Sequence, residues 1–372
     1  MNNIEIYIIV ALSVVAAVQF FYWAFFMFRV RRREERTNNQ PPVSVIVCAK
    51  NEARNLSALV PQLYAQEYPD FRIIVVDDCS VDDTAMVLAE LHSRYPELYI
   101  TTIPGDKKFT HGKKLAVTVG LKAARTEHVV FIDADCLPSS TRWLSEMMSH
   151  YTAGREIVIG YGRYAAGRGL LNFVIRYEAF WNAVQYFGFA RAWRPFMGVG
   201  RNLSYTKSAY EQSSKFRNNI RILSGDDDMF VSEVGTRRNT AVCYRPEGQT
   251  VSHPKRTWLD WSIQKTRHYS TASYYPRPIS AVLVAEQVTR QLFVWGSIAA
   301  TVWAPGAIVW IVALSLLAAR EIEMYIALAL ASRNMGERRL WPFAIVMDVL
   351  LPWVELAAWI VGTANKPTTR WK

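Results

Sequence analysis

The chain has 372 residues, of which 51% are hydrophobic, and a formal net charge of +11. This length accommodates one sizeable domain together with membrane segments. The positive charge excludes no partner by itself, but the sequence contains no nucleic-acid-binding motif, and its basic cluster at residues 29–36 directly follows an apolar stretch. Anionic lipid headgroups explain a cluster in that position, so we expect a lipid bilayer and no nucleic acid as partner.

The apolar stretch covers residues 4–28 and is interrupted only by Glu5, Ser13 and Gln19. About 20 apolar residues cross a bilayer as a helix, and the stretch lacks the basic start and small-residue cleavage site of a signal peptide. Residues 1–28 are therefore predicted to be a transmembrane helix and residues 29–42 a basic juxtamembrane linker. Since basic clusters mark the cytoplasmic side, we expect an inner-membrane protein whose following domain is cytoplasmic, with reduced cysteines.

Residues 43–275 have the pattern of an α/β domain. Apolar strand runs at 43–48, 72–77, 99–103 and 128–133 alternate with helical segments at 51–66, 82–95 and 113–124. This alternation predicts a Rossmann-like, mostly parallel sheet covered by helices on both faces. Ligands of such sheets bind at the carboxyl ends of the strands. Two of the predicted strands end in aspartates.

The C-terminal part is apolar again. Residues 276–291 carry Glu286 and Arg290 among apolar residues and are predicted to form an interfacial amphipathic helix. Residues 292–372 are predicted to be a C-terminal transmembrane region, in which residues 292–319 form either one tilted span or a hairpin. Asp348 and Glu355 lie in its last apolar segment and must face protein or water.

Two acidic motifs follow strands. Asp77 and Asp78 open an acidic turn, which is typical both of an N-capped helix and of a site that accepts hydrogen bonds from a base or ribose. Asp133 and Asp135 follow the fourth strand, and carboxylates two residues apart in extended backbone point to one face. Oxygen ligands of this kind favour Mg²⁺ or Mn²⁺, which neutralises the charge of a departing diphosphate.

Two further clusters lie closer to the C-terminus. Asp226, Asp227 and Asp228 are either the acidic first turn of a helix or the site of a general base. Gln264 and Arg267 lie in a segment with three aromatic residues, Trp258, Trp261 and Tyr269. The segment is either a surface amphipathic helix or a site in which an arginine binds diphosphate oxygens and an aromatic wall receives a sugar.

Read in order, these motifs resemble glycosyltransferase family 2, the inverting GT-A enzymes that include cellulose, hyaluronan and chitin synthases. The resemblance extends over about residues 43–269 and is carried by C-A-K-N-E-A-R-N-L at 48–56, D-D-C-S-V-D-D-T at 77–84, G-K-K-L-A at 112–116, D-A-D at 133–135, G-V-G-R-N-L-S at 198–204, D-D-D at 226–228 and Q-K-T-R-H at 264–268. It implies a GT-A domain between N- and C-terminal transmembrane helices.

The resemblance also implies roles for individual residues. Asp227, with Asp226 beside it, falls where the family carries its catalytic base, and Asp135 with Asp133 matches the metal motif. Residues expected to bind the nucleotide-sugar are Asn51, Glu52, Asp77, Asp78, Lys113, Asp133, Gln264 and Arg267. Residues expected on the acceptor side are Gly200, Asn202, Trp261 and His268, the last of which stands where the family usually has Trp.

The function implied is a membrane-bound hexosyltransferase that moves a sugar from a nucleotide-sugar, with UDP as the expected nucleotide, to a lipid-linked or other membrane-associated acceptor. A processive polysaccharide synthase is the alternative among enzymes. An inactive membrane scaffold subunit is the alternative in another class.

Overall fold

The computed structural model describes residues 3–31, 35–105, 113–214, 225–272, 274–303 and 306–365, without the side chains of Arg31 and Asp226. The strands are β1 Val43–Ala49, β2 Phe71–Asp78, β3 Tyr99–Ile103, β4 His128–Phe131, β5 Cys136–Pro138, β6 Ile157–Gly160, β7 Gly162–Tyr164, β8 Leu203–Thr206, β9 Thr240–Cys243 and β10 Thr250–Ser252. The helices are α1 Asn3–Phe25, α2 Ala53–Tyr64, α3 Thr84–Arg94, α4 Lys113–Ala123, α5 Trp143–Met148, α6 Leu170–Ala192, α7 Lys207–Gln212, α8 Asp226–Val234, α9 Trp258–Ala272, α10 Arg277–Trp303, α11 Ala307–Met335 and α12 Ala344–Ala364.

The main sheet has seven strands in the order β3-β2-β1-β4-β8-β6-β9. The first four are parallel, β8 runs antiparallel to both β4 and β6, and β9 is parallel to β6. A small second sheet has the order β5-β10-β7. The predicted mostly parallel α/β sheet is confirmed, and the four predicted strands and three intervening helices lie within a few residues of their expected bounds.

The continuous apolar runs of the central strands arise because both faces of the sheet are covered. Val45 and Val47 of β1 pack into a core that includes side chains of α2, α3 and α5, whereas Ile46 and Cys48 pack into a core that includes α4 and α6. The α4 helix lies very close to the sheet, since a Cβ at Gly120 would stand 2.6 Å from Ile46 Cγ2.

Helices α1, α10 and α11 pack against one another beside this domain. Among the described residues, two helical stretches, Asn3–Val30 and Trp341–Ala364, are long and apolar enough to cross a membrane by length and composition. The prediction of a separate interfacial helix over residues 276–291 is wrong, because α10 continues without a break to Trp303. The hairpin alternative holds for residues 292–319, since α10 ends at Trp303 and α11 begins at Ala307.

Buried charges connect the helices. Arg320 of α11 donates to both carboxylate oxygens of Asp348 of α12, and Arg290 of α10 lies 3.5 Å from Asp348 Oδ1 and 3.3 Å from Glu286 Oε1. Gln19 of α1 accepts from Arg320 at 3.0 Å. Asp348 therefore faces protein, as its sequence position required. Glu286 and Arg290, which suggested a water-facing surface, are instead each 2% exposed.

Candidate active site

The strand register brings three segments to one edge of the sheet. Ala49 of β1 is paired with Asp77 of β2, and Ile46 of β1 is paired with Phe131 of β4. Because these strands are parallel, the residues that follow β1, end β2 and follow β4 share the carboxyl edge. Asn51, Asp77 and Asp133 are the polar residues at these three positions.

The turns after β1 and β2 are hydrogen-bonded to each other. Asn51 has a φ of 56° and Cys79 a φ of 49°, left-handed conformations that are uncommon for residues other than glycine. Asn51 accepts from the Val81 amide at 2.9 Å, and its own amide donates to Ser80 Oγ at 2.9 Å. The contacts hold both turns in conformations that cost free energy, an arrangement common at ligand sites.

Asp77 and Asp78 are buried, with exposed fractions of 3% and 0%. Asp77 Oδ1 accepts from the Ser80 amide at 3.2 Å and from Ser80 Oγ at 2.5 Å, which is the capped-turn arrangement that the sequence left open. Asp78 Oδ2 lies 4.0 Å from Lys50 Nζ. Asp77 and Asp78 therefore have contacts within and beside the turn already in the protein without a ligand.

The D-A-D motif combines a paired and an exposed carboxylate. Asp133 Oδ1 accepts from Lys113 Nζ at 2.7 Å, whereas Asp135 is exposed. Burial would raise the pKa of Asp133, but Lys113, Arg201 and Arg267 outweigh it and hold that pKa below its usual value. Oxygens of Asp133 and Asp135 and the sulfur of Cys136 lie within 4.8 Å of one another.

Asp227 is held by two backbone amides. Its Oδ2 accepts from the Gly200 amide at 2.5 Å and its Oδ1 from the Asp228 amide at 2.9 Å. A Cβ at Gly200 would stand 3.0 Å from Lys113 Nζ and 3.1 Å from Asp227 Oδ2, so a side chain there would press on both groups. Each carboxylate oxygen retains a second lone pair for a substrate hydroxyl.

These groups share one cavity, called the cleft below. Lys113, Asp133, Gly200 and Asp227 are among its lining residues, and its floor is apolar. Four positions distributed over about 115 residues of sequence thus converge at one place, 113, 133, 200 and 227. The wall includes an ammonium, two carboxylates and a backbone amide.

Helix α9 brings a further set of polar side chains towards the cleft. Solvent reaches part of the Arg267 and His268 side chains, and protein surrounds the rest of the His268 ring. Gln264 donates to Tyr164 OH at 3.4 Å. Arg267 is close enough to Asp133 to lower its pKa. The pKa of His268 lies well below its usual value because the surrounding protein desolvates the ring and because Lys265 and Arg267 are nearby.

Of the predicted site residues, Lys113, Asp133, Gly200 and Asp227 are among the described residues that line the cleft. Two of the others are buried in the domain. Asn202 is fully buried, accepting from Trp143 Nε1 at 3.0 Å and donating to the carbonyls of Tyr161 and Gly248. Trp261 is 1% exposed, so it packs in the core rather than forming an open aromatic wall. The side chain of Asp226, like residues Gly112 and Ser224, lies outside the described residues.

Sequence reasoning missed two residues near this site. Arg201 is one of the cations that lower the pKa of Asp133, and its guanidinium lies 4.6 Å from the ring of Tyr164. Asp228 Oδ2 accepts from Thr271 Oγ1 at 3.1 Å and from Tyr275 OH at 3.2 Å, which connects α8 to the end of α9. Their motifs were visible, but only the packing of β7, α8 and α9 shows which side chains meet.

Comparison with known proteins agrees with this geometry. Residues 44–213 match the family model "Glycosyl transferase family 2". The chain is 33% identical over 102 residues to beta-monoglucosyldiacylglycerol synthase of Nostoc sp., covering 27% of this chain and 21% of that protein. It is 28% identical over 93 residues to poly-beta-1,6-N-acetyl-D-glucosamine synthase of Staphylococcus epidermidis, covering 25% and 21%. The matched stretch thus spans about a fifth of these curated relatives.

The fold has a close counterpart among solved structures. A mannosyltransferase from Pyrobaculum calidifontis, solved with GDP-Man and Mn²⁺, superimposes with a TM-score of 0.56 at 21% identity, covering 93% of this chain and 98% of that one. This similarity establishes the GT-A fold. Residues 44–213 of this chain therefore match glycosyl transferase family 2 in sequence, and they lie in a domain with the GT-A fold.

Proposed function

We propose that the protein is a membrane-bound inverting glycosyltransferase that moves a sugar from a nucleotide-sugar, with UDP as the expected nucleotide, to a lipid-linked or membrane-associated acceptor. The observation that carries this proposal is the convergence of Lys113, Asp133, Gly200 and Asp227 on one cleft at the carboxyl edge of the sheet. Asp135 extends the acidic side of the same edge.

The donor set of the D-A-D motif fits a hard divalent cation. Asp133 and Asp135 offer carboxylate oxygens, the ligands that Mg²⁺ and Mn²⁺ prefer. The third group within reach, the thiol of Cys136, is a soft ligand that hard cations do not favour. A bound cation would neutralise charge on the diphosphate, and the solved mannosyltransferase from Pyrobaculum calidifontis contains Mn²⁺.

Residues of the chain would carry out the proton transfer and stabilise the leaving group. Asp227 accepts the proton of an acceptor hydroxyl, whose oxygen attacks the anomeric carbon while the bond from that carbon to the diphosphate breaks. A single displacement of this kind inverts the configuration. Lys113, which lines the cleft, together with Arg267 and Gln264 of α9, would stabilise the negative charge of the departing nucleoside diphosphate.

The position of α9 supports a membrane-associated acceptor. This helix carries Arg267 and His268, and the chain continues after it into α10, which packs with α1 and α11. Exposed apolar side chains lie along these three helices, among them Tyr7, Val14, Val284, Leu292, Ile311 and Leu314. An acceptor held in the bilayer would therefore reach the cleft by way of α9.

The decisive experiment supplies labelled UDP-Glc, UDP-Gal, UDP-GlcNAc and GDP-Man to membranes containing the protein, with Mg²⁺ or Mn²⁺ and a total lipid extract. We expect metal-dependent release of UDP and one labelled product in the organic phase. Asp227→Asn should lower kcat by about 10²- to 10⁴-fold, the usual contribution of a general base. Glu90→Gln, on the exposed side of α3, is the control and should change nothing.

Three other outcomes would change the proposal. A ladder of repeats instead of one glycolipid would favour a processive synthase, the activity named for the relative from Staphylococcus epidermidis. Release of GDP rather than UDP would contradict only the expected nucleotide of the donor, and the rest of the proposal would stand. Nucleotide release that is the same in Asp227→Asn and in the unsubstituted chain would favour an inactive scaffold subunit.

A further inference from the structure

Helix α12 is apolar enough to cross a bilayer, but both of its ends touch the glycosyltransferase domain. At its start, the ring of Phe343 lies 4.9 Å from the ring of Phe173 in α6. At its other end, Gly362 lies so close to α9 that a Cβ there would overlap with Thr266 Oγ1 and Ser262 O. The helix is about 30 Å long, so a perpendicular span would carry one end across the hydrocarbon core, away from the domain.

The helices α1, α10 and α11 are arranged differently from α12. They pack together along their lengths, and Glu5 near the start of α1 lies against Gly306 at the turn between α10 and α11. This turn is therefore the distal tip of the bundle. In contrast, α12 packs chiefly along α9 and meets the bundle near its beginning, through the ion pairs of Asp348.

The distribution of basic residues agrees with this difference. Arg338 and Arg339 precede α12, and Lys366, Arg370 and Lys372 follow it, whereas the tip at residues 303–307 contains no Lys or Arg. Basic residues flanking membrane helices collect on the cytoplasmic side. A spanning α12 would separate its two basic flanks, and a helix lying in the plane of the interface would keep them together.

We propose that α12 lies in the membrane interface beside α9, with its outer apolar face among the acyl chains and Asn365 on the same side of the membrane as the cleft. The surface has the composition of a lipid contact: Val346, Leu350, Trp353 and Ile360 are 49–55% exposed on one side of the helix. Tryptophans are enriched at this depth, and such helices bury their apolar face at the headgroup boundary. This inference rests on the membrane attachment in the proposed function.

The test places single cysteines in the full-length chain and labels intact cells with a membrane-impermeant maleimide, before and after permeabilisation. Trp303→Cys reports the bundle tip, Arg338→Cys the segment before α12, and Asn365→Cys the residue after it. All three positions are exposed, and labelling of the unsubstituted chain is subtracted. We expect Asn365→Cys to behave like Arg338→Cys and to react only after permeabilisation, while Trp303→Cys reacts in intact cells.

A second readout measures depth. A fluorophore on cysteine at position 346, 353 or 360 should be quenched to a similar degree by lipids with a nitroxide at one fixed depth. If α12 spanned the membrane, position 353 would lie nearest the middle of the bilayer, and quenching would be strongest there. Labelling of Asn365→Cys in intact cells, with Arg338→Cys protected, would overturn the inference but leave membrane attachment intact. Release of the protein from membranes by alkaline carbonate would overturn the attachment itself.

Discussion

The carboxyl edge of the sheet combines attractive and repulsive interactions between charged groups. Lys113 forms an ion pair with Asp133. Glu52 is partly buried near Asp135 and Asp133, and no cation is among the groups that shift its pKa. Burial is the larger cause and the two aspartates a smaller one, and together they raise the pKa of Glu52 above its usual value. The free site is thus destabilised by the acidic residues that it would use.

Glu52→Gln should stabilise the free protein. Because the pKa of Glu52 is raised in the native state, Glu52 keeps its proton in the native state at pH values at which the unfolded state has lost it. The free energy of unfolding therefore falls as the pH rises from the usual glutamate pKa through the raised one. The amide removes this cost while remaining able to accept from Asn55 Nδ2. We expect a higher Tm than that of the unsubstituted chain at pH 7 to 8, with the difference shrinking as the pH falls towards 4. An equal difference at all pH values would exclude this cause.

His268 should remain neutral throughout the working range. Its pKa is held well below the usual value by desolvation and by neighbouring cations, so lowering the pH through the ordinary histidine range does not charge it. His268→Gln should therefore leave the shape of the kcat/KM profile unchanged between about pH 6 and 8. The loss of an acidic limb in that variant would show that the imidazole titrates there.

At the scale of elements, α9 connects the cleft with the apolar helices of the C-terminal part. Lys265 on one side forms a buried ion pair with Glu178 of α6, and Ser262 and Thr266 on another side adjoin α12. Thr271, together with Tyr275 just beyond the helix, holds Asp228 next to the proposed base. A shift of α9 would therefore disturb both α8, which carries the proposed base, and the side chains proposed to bind the diphosphate.

Gly362→Ala should displace α12 from α9. The added methyl group overlaps with backbone and a β-branched side chain, neither of which yields easily, so we expect a loss of about 1–3 kcal/mol in the free energy of unfolding. Activity should fall as well, because α9 carries Arg267. The matched control is Gly296→Ala in α10, where a Cβ meets only Leu12 Cδ2 at 3.4 Å. Thermal unfolding in detergent and initial rates would measure both, and equal effects in the two variants would contradict this role of the contact.

For the whole molecule, buried charges fix how the helices α10, α11 and α12 meet the α/β domain. Arg290, Arg320, Glu286 and Asp348 are each 2% exposed or less, and Arg290 also lies 5.0 Å from the ring of Trp181 in α6. Ion pairs this deeply buried contribute little net stability, since desolvation offsets their attraction. They are sensitive, however, to the loss of one partner.

Asp348→Ala should therefore cost about 3–5 kcal/mol, because it leaves two buried guanidinium groups without their shared carboxylate. The double variant Asp348→Leu/Arg320→Met should recover much of that loss. The yield of folded protein in detergent and its unfolding midpoint would compare the variants. A double variant as unstable as the sum of its two single changes would contradict this expectation, since it would show that Arg320 and Asp348 are not energetically coupled.

Much of the catalytic domain could be predicted from local sequence. The apolar runs and their helical spacers specify a parallel α/β sheet because strand and helix periods are local properties, and aspartates at strand ends then share one edge by topology. The family, too, was recognisable from the order of motifs between residues 48 and 268.

Contacts between distant segments decided the rest. Sequence could not show that Asn202 and Trp261 are buried, that Arg201 adjoins Asp133, or that Glu286 and Arg290 turn inward to meet Asp348. An amphipathic pattern states that a helix has two faces but not whether the polar face meets water or another buried charge. Hydropathy likewise makes α12 apolar enough to span, and only its packing along α9 supports the interfacial course proposed above.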